Sequence, residues 1–85
     1  MDNNDLLFAL MKNKNNILDF ISLWFKKENI ENGTGLLNHI MMLSSKEDQK
    51  GMYVFKGQNT NFIVDFKHRE MRLRERGKND SIFKW

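Results

Sequence analysis

The sequence predicts an α+β fold, with three N-terminal helices packed on a small antiparallel β-hairpin or three-stranded sheet at the C-terminus. Three observations carry this reading. Up to about Ser44, apolar residues recur at helical spacing. From Met52 onward they alternate with a period of two. Between the two patterns lies SSKEDQKG (44–51), a polar stretch that reads as a loop. With 85 residues the chain is read as a single small domain over 1–85, its helical part about 4–44 and its β-rich, basic part about 51–85.

NDLLFALMK (4–12) reads as a short helix, capped by Asn4 or Asp5, with Leu6, Leu7, Leu10 and Met11 as its apolar stripe. NKNN (13–16) reads as a break in which Asn15 or Asn16 caps the next helix. ILDFISLWFKKE (17–28) places Ile17, Phe20, Ile21, Trp24 and Phe25 at i, i+3, i+4, i+7 and i+8, the pattern of a buried face, which Leu18 and Leu23 widen. ENGTG (31–35) reads as a turn, with Gly33 or Gly35 available for a positive φ. A third helix follows in LLNHIMMLSS, where Leu36, Ile40 and Leu43 lie in line and Leu37 and Met41 beside them.

Two β-rich runs, 52–56 and 61–67, are separated by GQNT, a hairpin signal in which Gly57 and Asn59 tolerate turn geometry. In the second run Phe62, Val64 and Phe66 point one way, and Ile63, Asp65 and Lys67 the other. For the next stretch a strand reading turns Met71 and Leu73 to the core and Glu70, Arg72, Arg74 and Arg76 to the opposite face. A helix would put Phe66 and Leu73 on a face that Met71 misses, so alternation favours the strand. SIFKW (81–85) is too apolar for a free tail and is expected to dock on the core.

Composition narrows the functional classes. Without cysteine there is no disulfide and no thiolate zinc site. Seven Phe, two Trp and six Met supply one core, and self-association as a homodimer is a route to a larger one. Asp2 and Asp5 stand where a secretory signal needs positive charge, and no apolar run reaches the ~18 residues of a membrane span. A cytoplasmic protein with no membrane partner is expected. The eleven Asn and ten Lys, with no Pro, suit an AT-rich genome, that of a low-GC bacterium or one of its phages or plasmids.

Charge is divided unevenly. Residues 1–49 hold five lysines against seven acids, whereas residues 50–85 hold nine cations against four acids. All four arginines, Arg69, Arg72, Arg74 and Arg76, fall within eight positions. Arginine presents a planar fork that grips phosphate or carboxylate through two hydrogen bonds. On a strand, every second residue would lie ~6.8 Å from the next, near the spacing of nucleic-acid phosphates. Lys56, Lys67 and Lys78 would extend the patch, and His68 and Tyr53 would add stacking surfaces. Glu70 and Glu75, interleaved in the run, offer internal partners instead.

These features predict a small non-catalytic binding or regulatory protein, phage- or plasmid-encoded, that engages nucleic acid through a basic C-terminal face. The alternative is an inhibitor or adaptor that binds an acidic host-protein surface through the same face, or through an aromatic helix patch with Trp24, Phe25, Met42 and Trp85 at the interface. No cofactor, metal or small-molecule substrate is expected.

Sharper motifs are weaker. Asp65-x-Lys67 after an apolar strand, with Asp48 upstream, resembles half of the PD-(D/E)xK nuclease signature, which makes a divalent-metal nuclease a remote alternative. Asp65, His68 and Glu70 could gather near a turn and hold a divalent metal, but exposed polar residues cluster at turns anyway. Ser44 and Ser45 lack a nucleophile elbow, and Gly33 and Gly35 lack the Gly-Lys-Ser of a phosphate loop. Three helices and a hairpin also give the element order of a winged helix, but GLLNHIMMLSS carries none of the Arg or Lys that a recognition helix uses.

Overall fold

The computed structural model describes residues 3–31, 34–44 and 51–85. Three helices, α1 (Asn3–Lys12), α2 (Lys14–Glu28) and α3 (Thr34–Ser44), precede four strands, β1 (Met52–Lys56), β2 (Thr60–Asp65), β3 (Glu70–Glu75) and β4 (Ser81–Lys84). The break between α1 and α2 is a single residue, so Lys14, Asn15 and Asn16 are helical rather than a break or a cap. Asn13 does both jobs. Its amide N–H and its Nδ2 donate to the Ala9 carbonyl at 3.2 and 2.8 Å, closing α1, while its own carbonyl accepts the Ile17 N–H at 2.9 Å and opens α2. At the other end of α2, Asn29 takes a left-handed φ of 57° and Ile30 N–H reaches back to the Phe25 carbonyl at 2.9 Å. That is a Schellman-type stop, with Asn in the place usually held by Gly. Gly35, expected in a turn, lies inside α3. Gly33 and most of the 44–51 loop lie outside the described residues.

The sheet has four antiparallel strands in the order β1-β2-β3-β4, where the sequence predicts a hairpin or three strands. The addition is SIFKW. Met71 pairs with Phe83 and Arg72 with Ile82, and the Trp85 N–H donates to the Arg69 carbonyl at 3.0 Å. Gly77, at φ 80°, and the Lys78 N–H bonded to the Glu75 carbonyl make the turn that returns the chain. Four residues are too few for alternation to reveal. What places them is pairing with β3. The strand reading of the arginine run holds, and β3 ends at Glu75, so Arg76 lies just beyond it.

β2 stops at Asp65, two residues before the predicted end. The Asp65 carboxylate accepts the His68 N–H at 3.0 Å and so bends the chain into the 66–69 turn. Lys67 is therefore in a turn, not on a strand. Phe66 stays buried.

One face of the sheet carries the core. Phe62, Val64, Met71 and Leu73 are at most 2% exposed and meet Leu6, Leu10, Ile17, Phe20, Ile21, Trp24, Leu37, Ile40 and Leu43 from the helices. Ring contacts concentrate on α2 and β2: Trp24 stacks on Phe62 at 5.2 Å, and Phe20 lies 5.8 Å from the same ring. Leu23, read as part of the buried stripe, is exposed instead.

A polar lock fixes the β1–β2 turn to the C-terminal end of α2. The Glu28 carboxylate accepts the Asn59 N–H at 2.9 and 3.1 Å, and Asn59 Nδ2 donates to the Lys27 carbonyl at 3.2 Å. Gly57 is needed here for space, not for a positive φ. A Cβ at this position would lie 1.7 Å from Glu28 Oε1 and 2.8 Å from the Thr60 carbonyl oxygen.

Candidate interaction surface on the open face of the sheet

Because the sheet is a meander, its registers turn the outward side chains into three straight rows. The first is Lys56, Asn61 and Arg74, with Asp80 beside Arg74. The second is Val54, Ile63, Arg72 and Ile82, and the third is Met52, Asp65, Glu70 and Lys84. One end is thus basic, the middle apolar and the other end mixed. Val54 and Ile82 are each 50% exposed and Met52 61%, while Ile63 between them is buried although it faces away from the helices. Together they form an apolar strip across the face, interrupted at Arg72 on β3.

The arginines are not free on this face. Arg72 donates to the buried Glu70 carboxylate from Nε at 3.2 Å and from Nη2 at 2.5 Å, and Asp80 lies 4.0 Å away. Arg74 grips Asp80 through Nε at 3.1 Å and Nη2 at 2.9 Å, the two-pronged geometry that suits guanidinium. These bonds raise both guanidinium pKa values, Glu70 being the main cause for Arg72 and Asp80 for Arg74. The same bond to Arg74 holds Asp80 below its ordinary value. Arg69 turns to the opposite end of the molecule, where its Nη2 donates to Asp5 at 2.7 Å. Lys78 shares Glu75 with Lys27, at 3.4 and 3.1 Å, and chiefly the Lys27 bond lowers the Glu75 pKa. The structure thus separates the predicted basic patch. Lys56, Arg74 and Arg76 gather at one corner, and Lys67 and Arg69 lie in the far turn.

At that corner a polar recess of about 340 Å³ lies between the β1–β2 turn, from Gly57 to Asn61, and the side chains of Arg74 and Arg76. Lys56 and Arg76 have no carboxylate partner among the described residues.

The expected stacking residues are placed otherwise. Tyr53 faces the helix side and meets Phe66 edge-on at 5.5 Å. The His68 ring Nδ1 lies 2.7 Å from Asp65 Oδ2. Burial pushes the Asp65 carboxyl up, but the hydrogen bonds and charge of His68 outweigh it, so Asp65 titrates below its ordinary 3.8. Of the expected aromatic patch, Trp24 belongs to the core, Phe25 is half-buried, and Trp85 packs against Phe66 at 6.3 Å. Met42 is exposed.

Asp65 spends both carboxylate oxygens on His68, and Asp48 lies outside the described residues. Ser45 is outside them too, and the Ser44 hydroxyl is buried and donates to the Met41 carbonyl at 2.6 Å. No group of three metal-ligating side chains occurs among the described residues. Nor is any described helix long and apolar enough to cross a membrane.

Sequence reasoning missed the apolar strip. Its signal was present in MYVF (52–55), which is apolar at four successive positions and so must present apolar bulk on both faces of a strand. Comparison of the chain with protein-family models, with curated proteins and with solved structures finds no match.

Proposed function

We propose that this chain is a non-catalytic protein-binding domain, an adaptor or inhibitor that covers the open face of its sheet with a partner protein. The observation that carries this reading is the pairing of an exposed apolar strip with arginines already neutralised by their neighbours. Apolar area left in water favours association when covered, at roughly 25 cal/mol per Å². Arg74, held by Asp80, presents a balanced polar group at its margin, as the rim of a protein interface does, and Arg72, held by Glu70, presents one within it. A phosphate backbone would have to compete with those carboxylates, and among the described residues no Phe, Tyr or Trp is turned outward from the strands for a base to stack on.

The test introduces a photo-crosslinking residue at position 82, or at position 8 as a control on α1. Cross-linked proteins are identified, purified and titrated. Val54→Arg should weaken binding of a true partner at least tenfold, with Phe8→Arg leaving it unchanged. Binding that ignores Val54→Arg would sink the reading.

The cluster of Lys56, Arg74 and Arg76 favours a second reading, nucleic-acid binding at the basic corner. It predicts binding of unrelated duplexes or single strands that falls steeply between about 50 and 200 mM salt. Such binding would be lost on combining Lys56→Ala with Arg76→Ala and retained in Val54→Arg.

A further inference from the structure

The last strand of the sheet has an open side. β4 is outermost in the order β1-β2-β3-β4, and the Trp85 N–H donates inward to the Arg69 carbonyl. Backbone groups alternate in direction along an antiparallel strand. Those of Ser81, Phe83 and Trp85 therefore turn to β3. Those of Ile82 and Lys84 turn away and have no partner among the described residues. On the helix side, this edge borders a groove of about 340 Å³ between β4 and α2, lined by Asn16, Asp19, Phe20, Leu23 and Phe83. From the open edge and the groove together we infer that β4 takes up an extended segment of a partner protein as a fifth, antiparallel strand, one of whose side chains fills the groove. Val54, on the opposite edge strand, takes no part in this site.

The geometry sets the composition of that segment. The residue opposite Phe83 falls at a non-hydrogen-bonded position, where facing side chains lie closest, and it points to the helix side. There it meets Phe20, Leu23 and Phe83, so a large apolar residue fits. Leu23 is 49% exposed, against at most 8% for Ile17, Phe20 and Ile21 on the same helix, and the incoming side chain covers it. α2 runs antiparallel to β4. Its C-terminal end is tied by Lys27 to Glu75, beyond the Leu73–Ser81 pair, so Asn16 and Asp19 border the groove on the Trp85 side. Asp19 is exposed and has no cationic partner among the described residues. An antiparallel segment passes Trp85 before Phe83, so its residue two positions ahead of the apolar one lies by Asp19, where Lys or Arg fits. On the outward side, cross-strand pairing favours an acid beside Lys84 and a β-branched residue beside Ile82. From N- to C-terminus the segment is thus basic, acidic, large apolar and β-branched. A short edge strand carrying a lysine resists indiscriminate pairing. A partner that answers Lys84 with an acid passes that guard.

Four backbone hydrogen bonds and one covered side chain make a weak complex, with a dissociation constant on the order of 100 μM. The probes are two capped peptides, Ser-Lys-Glu-Leu-Val-Ser and the same sequence with Phe for Leu, titrated into the labelled protein to about 2 mM and followed by amide NMR shifts. Shifts should concentrate at Ile82, Lys84, Asp19 and Leu23. N-methylation of the peptide Val removes a donor aimed at β4 and should weaken binding at least tenfold, whereas N-methylation of the Leu, whose N–H points away, should change it less than threefold. Asp19→Lys, at an exposed position, should weaken the parent peptide at least fivefold and favour a peptide with Glu in place of its Lys. Val54→Arg and Phe8→Arg should leave binding in place, with circular dichroism confirming that all variants fold. Absence of shifts with both peptides overturns the inference, as does equal loss on the two N-methylations. Binding that is lost in Val54→Arg also overturns it, because the peptide then sits on the open face.

Discussion

The two faces of this sheet are built from the same strands, yet they obey different rules. On the inner face Phe62, Val64, Met71 and Leu73 meet helices and are sealed. On the outer face, one residue away along each strand, apolar Val54, Ile63 and Ile82 share space with Arg72, Arg74, Glu70 and Asp80. The inner face is held by burial, and its loss would be felt as unfolding. The outer face is balanced in charge, and Val54 and Ile82, half in water, contribute less to folding than the sealed residues. The difference teaches that stability and recognition are divided between alternate residues of each strand. Variants on the two faces should separate the two properties.

The largest effect is expected at the centre of the inner face. Phe62→Ala removes the ring that Trp24 and Phe20 pack on, and should cost about 3–5 kcal/mol, enough to unfold much of a domain this small. Chemical denaturation will measure it. Val54→Ala, at a half-exposed outward position on β1, should cost less than half as much. Equal losses at the two positions would break the distinction between the faces.

Next comes the lock that holds the β1–β2 turn. Gly57→Ala should destabilise by about 1–3 kcal/mol. The Glu28 side chain can swing away only by giving up the Asn59 N–H, and the Thr60 carbonyl, being backbone, has to shift. Thermal unfolding compared with Gly35→Ala, where a Cβ meets nothing within 4 Å, isolates the steric part.

Acid should act on the rim. Asp65, Glu75 and Asp80 all titrate below their ordinary values in the folded chain. The unfolded chain therefore takes up their protons first as pH falls. The stability these groups contribute is complete above the ordinary carboxylate range, near pH 5, and is lost as pH drops through about 4 and below. Denaturation midpoints at pH 7, 5 and 3 should show a small change in the first interval and a larger one in the second. Asp65→Asn should flatten that acid limb.

Smallest of all is the expected effect of Val54→Arg on stability, within about 0.5 kcal/mol of wild type. Its large effect belongs to association. A variant that is silent in unfolding and strong in binding would sharpen the contrast between the faces more than any other.

Much of this was legible in the sequence because packing leaves a period. Ile17, Phe20, Ile21 and Trp24 announced α2, and Met71 and Leu73 against Arg72 and Arg74 announced β3. What escaped did so for physical reasons. β4 is fixed by pairing with a distant strand, and four residues show no period. Asn13 serves two helices through hydrogen bonds at both its sides, which no spacing rule anticipates. The arginine run was visible as charge, but its neutralisation depended on Asp80, which the β3–β4 turn brings back beside Arg74. Glu70, only two positions from Arg72, was the one partner that the linear sequence already suggested.

The order of the strands along the chain is also their order in the sheet, and this bears on how the molecule assembles. Each ladder closes across a short connection, 57–59, 66–69 or 76–80, so little chain entropy is lost before its contacts form. Such neighbour-only pairing speeds folding, and the hairpins can zip in sequence without waiting for the helices. Until the helices pack on it, the sheet leaves Phe62, Val64, Met71 and Leu73 bare, and the speed of that docking sets how long a refolding chain stays open to aggregation.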